Sequence, residues 1–143
     1  AGLALIAEVP LGAGSRRILD AAFARDTVQR YLDAMAKADW SALAATLASD
    51  VERVGPYRDV FHGRDAYAKY LEDIISSLSG YALVVVDMIV DGNRVAVELS
   101  ETVDDGDDLL RTDETVLFDV RDGLIAHVAV YLQTSERIAA DSA

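Results

Sequence analysis

From Tyr81 to Gln133 the chain alternates apolar runs with turn residues, and this block restricts its possible folds more than any other stretch. The runs YALVVVDMIV, RVAVELSETV, TVLFDV and LIAHVAVYLQ are separated by DGN, DDGDD and DG. Asp, Asn and Gly tolerate the backbone angles of tight turns, so such dipeptides between β-rich runs specify hairpins. The block predicts a four-stranded antiparallel meander.

The upstream half reads as helical. Ile18, Ala22, Val28, Tyr31, Leu32 and Met35 keep a helical spacing, either in two helices capped by Ser15 and Asp26 or in one continuous helix. KADWSALAATL predicts a turn into a helix from Ser41 to Leu47, with Asp39 or Ser41 at its cap and Trp40 as an anchor. DVERVGPY predicts a short strand, with Gly55 and Pro56 marking a bulge or an edge. After the loop RDVFHG, helical spacing returns over Arg64 to Leu78. Helices on one side of an antiparallel sheet make an α+β domain, and a curved sheet wrapped on helices leaves a cone with one open end, where a pocket forms.

A length of 143 residues fits one domain. We divide it into an apolar N-terminal arm (1–14), a domain (15–136) and a frayed tail (137–143). There is no cysteine, which excludes disulfides and thiolate metal sites and, with no apolar run of about 18 residues, predicts a cytoplasmic protein. The 25 acidic against 13 basic residues give net charge −12, which disfavours nucleic acid and anionic membrane as partners. With two histidines far apart in sequence, a catalytic metal triad is not expected. The acidic run Asp104, Asp105, Asp107 and Asp108 lacks the alternation and terminal Glu of a calcium loop and reads as a solvated turn. No metal and no cofactor is expected.

Strand parity predicts a pocket lining. A two-residue turn at Asp122-Gly123 puts Glu114, Val116, Phe118 and Val120 on one face with Ile125, His127, Ala129 and Tyr131. A turn at Gly92-Asn93 puts Val84, Val86, Met88 and Val90 with Val95, Val97, Leu99 and Glu101. The shortest closure of DDGDD sets Glu101 beside Thr112 or Glu114. An inward Gly55 brings Arg53 and Tyr57 to the same face. The candidate catalytic group is Glu101, Glu114 and Arg53, with Tyr31, Tyr57, Phe118, His127, Tyr131 and Gln133 as ligand-binding residues. Two carboxylates in an apolar cup cannot both ionise cheaply, so one would work as acid or base near neutrality; alternatively both lie at the open rim, solvated beside Arg53 or Arg111. His127 is either a packed neighbour of Phe118 or catalytic, and one of Tyr67 and Tyr70 lines the cup. The same parity leaves Leu124, Ala126, Val128, Val130 and Leu132 as an apolar outer ladder, which predicts a homodimer through the sheet.

Three segments, VQRYLDAMAKADWSALAATLASDV, FHGRDAYAKYL and LFDVRDGLIAHVAVYLQ, resemble the NTF2-like superfamily, in particular its SnoaL-like branch of ketosteroid isomerases, polyketide cyclases and epoxide hydrolases. The resemblance spans Thr27 to Gln133 and implies a cone-shaped α+β barrel, three main helices on a curved antiparallel sheet. Tyr31 falls where the isomerases place an oxyanion-hole tyrosine, but their base, a carboxylate before a proline, is replaced by Gly55. Where the limonene-epoxide-hydrolase pattern has an Arg and two Asp, this chain has Thr102, Asp104 and Val130, so that activity is not expected. The implied function is a pocket for a small apolar or mixed organic molecule, serving a cofactor-independent isomerase, cyclase or dehydratase. The alternative is a non-catalytic module for dimerisation or ligand binding.

Overall fold

The computed structural model describes residues 12–142. The arm expected at residues 1–14 lies, for residues 1–11, outside the described residues; Ala13 and Gly14 belong to the first helix. That helix, α1 (Ala13–Ala36), is continuous across Asp26. It ends where Ala38 turns left-handed at φ 54°. Asp39 then caps α2 (Trp40–Ala45), its carboxylate accepting from the Ala42 N–H at 3.1 Å. Leu47, expected in that helix, already starts β1 (Leu47–Val54). The loop after it contains a short strand, β2 (Val60–His62), before α3 (Arg64–Ser76).

The meander follows as β3 (Ala82–Asp91), β4 (Arg94–Asp105), β5 (Asp108–Arg121) and β6 (Leu124–Leu132). The expected frayed tail instead contributes β7 (Glu136–Ala139), paired with the first residues of β5. The main path runs β2-β1-β6-β5-β4-β3, and β1 runs parallel to β6. The three helices thus pack on a curved, unclosed mixed sheet. Sequence parity cannot show such a pair, because the chain leaves β1 through α3 and four strands before returning beside it.

Two bulges correct the expected faces. Arg121 pairs with Leu124 and Val120 with Ile125, but then Asp119 pairs with His127: β6 carries one extra residue. From there onward Val128, Val130 and Leu132 point inward, and His127, Ala129 and Tyr131 point outward. A one-residue insertion exchanges every later side chain between faces. The same happens in β3, where Met88 pairs with Val97 but Val85, not Val86, pairs with Leu99. Val84 and Val86 therefore stand 64% and 61% exposed instead of lining the interior. The β4–β5 hairpin has no shift, and Glu101 pairs with Thr112 as the shortest closure requires.

The core forms where α1 lies across the inner face. Ala24, Val28, Tyr31, Leu32 and Met35 pack there against Val95, Val97, Leu99, Val116, Phe118, Ile125 and Val128, all nearly or fully buried. Thr27 ties the helix to the β5–β6 turn by donating to the Gly123 carbonyl at 3.0 Å. Among the described residues no helix is long and apolar enough to cross a membrane.

Candidate functional site

The open end of the cone holds a cavity of about 260 Å³ between the C-terminal half of α1, α3 and the far ends of β4 and β5. Its walls are mostly apolar, with Leu32, Met35, Leu71, Leu99 and Val130 among them. The polar groups come from specific register positions. Leu99 pairs with Glu114 and Glu101 with Thr112, so Glu101 and Glu114 are diagonal neighbours on the inner face, within reach of each other. Facing them are Arg53 from the end of β1 and Tyr31 from α1.

Arg53 is 8% exposed. Its guanidinium lies over the Tyr70 ring at 5.1 Å and the Tyr67 ring at 5.7 Å, a placement in which the rings' negative faces partly replace water. Its counter-ion is Asp59, with Nη1 to Oδ2 at 3.7 Å. The turn after β1 brings Asp59 back, the Gly55 N–H donating to the Asp59 carbonyl at 2.8 Å. A Cβ at Gly55 would run into the Asp59 carboxylate. Glycine at the position where the isomerases carry a base therefore makes room for a carboxylate arriving from four residues further on. Arg53 Nη1 and Asp59 Oδ1 find no hydrogen-bond partner among the described residues.

Glu114 is pushed from the ordinary 4.5 up to about 8, first by burial and then by the charge of nearby Glu101, with Arg53 pulling the other way. This is the pairing of like charges in low dielectric that raises one carboxyl of a pair. Tyr81 donates to Glu101 Oε1 at 2.9 Å. Burial and that carboxylate push the Tyr81 hydroxyl itself upward. Beneath the cavity the Tyr31 and Tyr67 hydroxyls hydrogen-bond to each other. Burial raises both, Tyr67 to about 12, so both remain neutral donors near neutral pH.

Of the residues expected at the site, Arg53, Glu101, Glu114, Tyr31 and Phe118 line this cavity together. Tyr57 touches its mouth but is 85% exposed. Of the two α3 tyrosines, Tyr70 lines it, stacked on Phe61 at 4.1 Å. His127, Tyr131 and Gln133 do not belong to it. The β6 bulge turns His127 to the outer face, where it sits between Glu52 at 3.3 Å and Asp119 at 3.7 Å; Tyr131 follows the same parity and is 60% exposed. Gln133 lies beyond β6, its N–H donating to the Asp113 carbonyl. The expected outer ladder on β6 also fails, since Val128 and Val130 are buried and Leu132 borders the cavity.

Tyr81, Thr112 and Asp59 were not singled out from the sequence as site residues. Tyr81 opens the run YALVVVDMIV and reads there as a strand residue with no sign of a polar partner, and Asp59 reaches Arg53 through a loop conformation that no periodicity encodes. The acidic 104–108 turn is tied up internally: Asp104 accepts from Ser79 at 2.7 Å and Asp105 from Arg137 at 2.8 Å. Among the described residues no group of three or more His, Asp or Glu side chains is arranged to hold a metal ion.

Comparison with known proteins agrees with this architecture. No curated protein matches the chain. A protein from Kribbella flavida DSM 17836 provisionally named a ketosteroid isomerase superposes with TM-score 0.69 at 26% identity, over 82% of each chain. A provisionally named polyketide cyclase from Xanthomonas campestris gives 0.66 at 28% identity, over 78% of this chain and 91% of the other. An LEH-like epoxide hydrolase of M. tuberculosis gives 0.70 at 20% identity, over 80% and 85%, a likeness of fold alone. The SnoaL-like domain model matches residues 28–128, most of the chain, and the protein therefore belongs to the SnoaL-like family of the NTF2-like superfamily.

Proposed function

We propose that the protein binds a small, largely apolar organic molecule carrying an oxygen acceptor, and moves a proton on it without a cofactor, as an isomerase, cyclase or dehydratase does. The observation that carries this reading is the pair Glu101 and Glu114 on one wall of an otherwise apolar cavity, with Glu114 raised to about 8. A carboxyl with that value is protonated near neutral pH yet exchanges its proton readily, which suits general acid–base work. Glu114 acts as the acid toward a ligand oxygen. Glu101 accepts a proton from the adjacent carbon. Arg53, which lines the cavity, sets a guanidinium charge beside that oxygen, the kind of fixed charge that stabilises a developing oxyanion. At about 260 Å³ the cavity is just below the about 300 to 1,000 Å³ usual for ligand pockets, so the ligand is compact.

A second reading, a ligand-binding module without turnover, draws on Gly55, which stands where the isomerases keep their base. The experiment that separates them is a thermal-shift screen of compact apolar ketones, esters and alcohols, since a ligand of the native state raises the midpoint by mass action. Each hit is then assayed for turnover with the native chain and with Glu114→Gln. Turnover that falls about 10²- to 10⁴-fold in Glu114→Gln while binding persists is the expected result. Binding without turnover by the native chain establishes the second reading, and turnover unchanged in the variant overturns the role given to Glu114.

A further inference from the structure

The wall of the cavity is unbalanced in charge. Among the described residues Arg53 is its only basic side chain, set against Glu101 and Glu114. The guanidinium is already matched, with Asp59 at 3.7 Å and the Tyr67 and Tyr70 rings against it. Arg111, beside Thr112 on β5, turns to Asp113 and Glu136. Among the described residues neither glutamate of the cavity is therefore in an ion pair, although both are half-buried. Charged side chains taken out of water are normally paired.

The empty cavity meets this imbalance with a proton. Glu114 holds one up to about pH 8, through burial and the charge of Glu101. A proton removes one charge of the pair and gives the other no counter-ion. A cation between the two carboxyl groups serves both. Glu114 pairs with Leu99 and Glu101 with Thr112, which makes the glutamates diagonal neighbours about 7 to 8 Å apart. Two N–H···O bonds of about 2.8 Å each fit between carboxylates so placed. Tyr81 occupies one oxygen of Glu101 and leaves the second free.

The rest of the wall decides which cation. A metal ion would find two carboxylates and, among the described residues, no third His, Asp or Glu arranged to hold it. The surroundings are apolar, with Leu32, Met35, Leu71 and Val130, and aromatic, with Tyr31 and Phe118 packed edge to face at 5.3 Å. An organic ammonium meets both demands: its N–H groups donate to the carboxylates, its body packs on the apolar wall, and its charge is drawn to aromatic rings. A cavity of about 150 Å³ admits a benzene ring, so 260 Å³ holds one ring or a branched chain of similar size. We propose that the cavity is a binding site for compact organic ammonium ions, with the nitrogen between Glu101 and Glu114 and the apolar body against α1 and α3. This goes beyond the acid–base reading and does not rest on it. An ammonium takes the place of the Glu114 proton, so a cavity filled in this way has no acid, and an amine silences any reaction that needs one.

Binding and proton loss are coupled. An opposite charge beside a carboxyl favours its ionised form, so the ammonium expels the proton that Glu114 holds, and binding strengthens as pH rises toward 8. The other titratable or charged groups facing the pair are Tyr31 from α1, Tyr67 and Tyr70 from α3, Tyr81 ahead of β3, and Arg53 from β1 with Asp59 behind it. From β6 come only Val130 and Leu132. An aliphatic amine keeps its own charge to about pH 10.

Isothermal titration calorimetry of the full chain with cyclohexylammonium, cyclohexanol and cyclohexanecarboxylate, three probes of one shape and different charge, tests this. The ammonium is expected to bind at least about tenfold more tightly than the alcohol, because hydrogen bonds between charged groups outweigh neutral ones, and the carboxylate is expected not to bind. At pH 7, titrations in two buffers of different ionisation enthalpy should show about 0.9 proton released per ammonium bound, the share of Glu114 protonated there. Affinity should rise nearly tenfold from pH 6 to pH 7 and level off above about pH 8. Glu114→Gln should bind the ammonium without proton release and without that pH dependence. Glu101→Gln should weaken it at least about tenfold, with far-UV circular dichroism confirming that both variants stay folded. An alcohol that binds as tightly as the ammonium, an ammonium bound by the native chain with no proton released, or none bound at about 10 mM overturns the proposal. A carboxylate that binds with proton uptake overturns it as well and makes Arg53 the anchor. Turnover plays no part in these readings, so their outcome is separate from that of the acid–base reading.

Discussion

The same two strands, β4 and β5, build both halves of the cone's interior, and they build them differently. In one half their inward residues are Val95, Val97, Val116, Phe118 and Val120, none more than 6% exposed, closed over by Ala24 and Val28 of α1. A few residues along the same strands the inward positions become Glu101, Thr112 and Glu114, and α1 presents Tyr31 instead of small apolar side chains. The register is continuous between the halves, so nothing in the backbone marks the change. Side chains alone turn a packed core into a cavity that holds charge. The first half stabilises the fold; the second gives up part of that stability to keep two carboxylates and an arginine out of water.

If the halves differ in this way, truncation should show it in magnitude and in pH dependence. The largest effect is expected in the packed half. Ile125 is completely buried, and Ile125→Ala should cost about 3 to 4 kcal/mol through lost burial and a residual cavity, equally at pH 5 and pH 8, as read by urea unfolding. Arg53→Met should cost about 2 to 3 kcal/mol at pH 8 and clearly less at pH 5. Arg53 lowers the Glu114 value, so without it the carboxyl pair is relieved only by taking up a proton, which the lower pH supplies. An equal loss at both pH values would put the carboxylates in solvent and erase the contrast. The smallest effect is Tyr81→Phe, which removes one hydrogen bond to Glu101 and should cost about 1 kcal/mol. It should also move the Glu114 titration downward, because a less well-held Glu101 charge repels its neighbour less.

How much of this the sequence reveals depends on which physical constraint sets each feature. The β4–β5 pairing was legible because DDGDD closes by a two-residue turn with no bulge, so Glu101 and Glu114 reach the inner face as parity requires. The inward Arg53 follows from parity with an inward Gly55, a parity that breaks by Tyr57, which is 85% exposed. His127 and Tyr131 were misplaced because a single extra residue after Ile125 inverts parity, and neither Ile125 nor Ala126 carries any turn or glycine signal that would announce it. The bulge in β3 sits within VVV, where every residue suits either face equally. The parallel β1–β6 pair and β7 rest on long-range contacts that local periodicity does not record. Asp59 reaches Arg53 only through a loop whose Arg58 adopts φ 64°, an unusual conformation for a non-glycine residue.

The protonation of Glu114 tests the central claim most directly. Its folded value, about 8, lies above the ordinary 4.5, so the stability this group contributes is complete below about pH 4.5 and is lost as pH rises toward 8. Following the Glu114 side-chain carboxyl by ¹³C NMR as a function of pH, in the native chain and in Glu101→Gln, reads the value itself. A native midpoint near 8 that falls by at least about one unit in Glu101→Gln is the result expected of two carboxyls sharing a buried site. A midpoint near 4.5, unmoved by the substitution, would mean that the pair is solvated and that the cavity has no acid to offer a ligand.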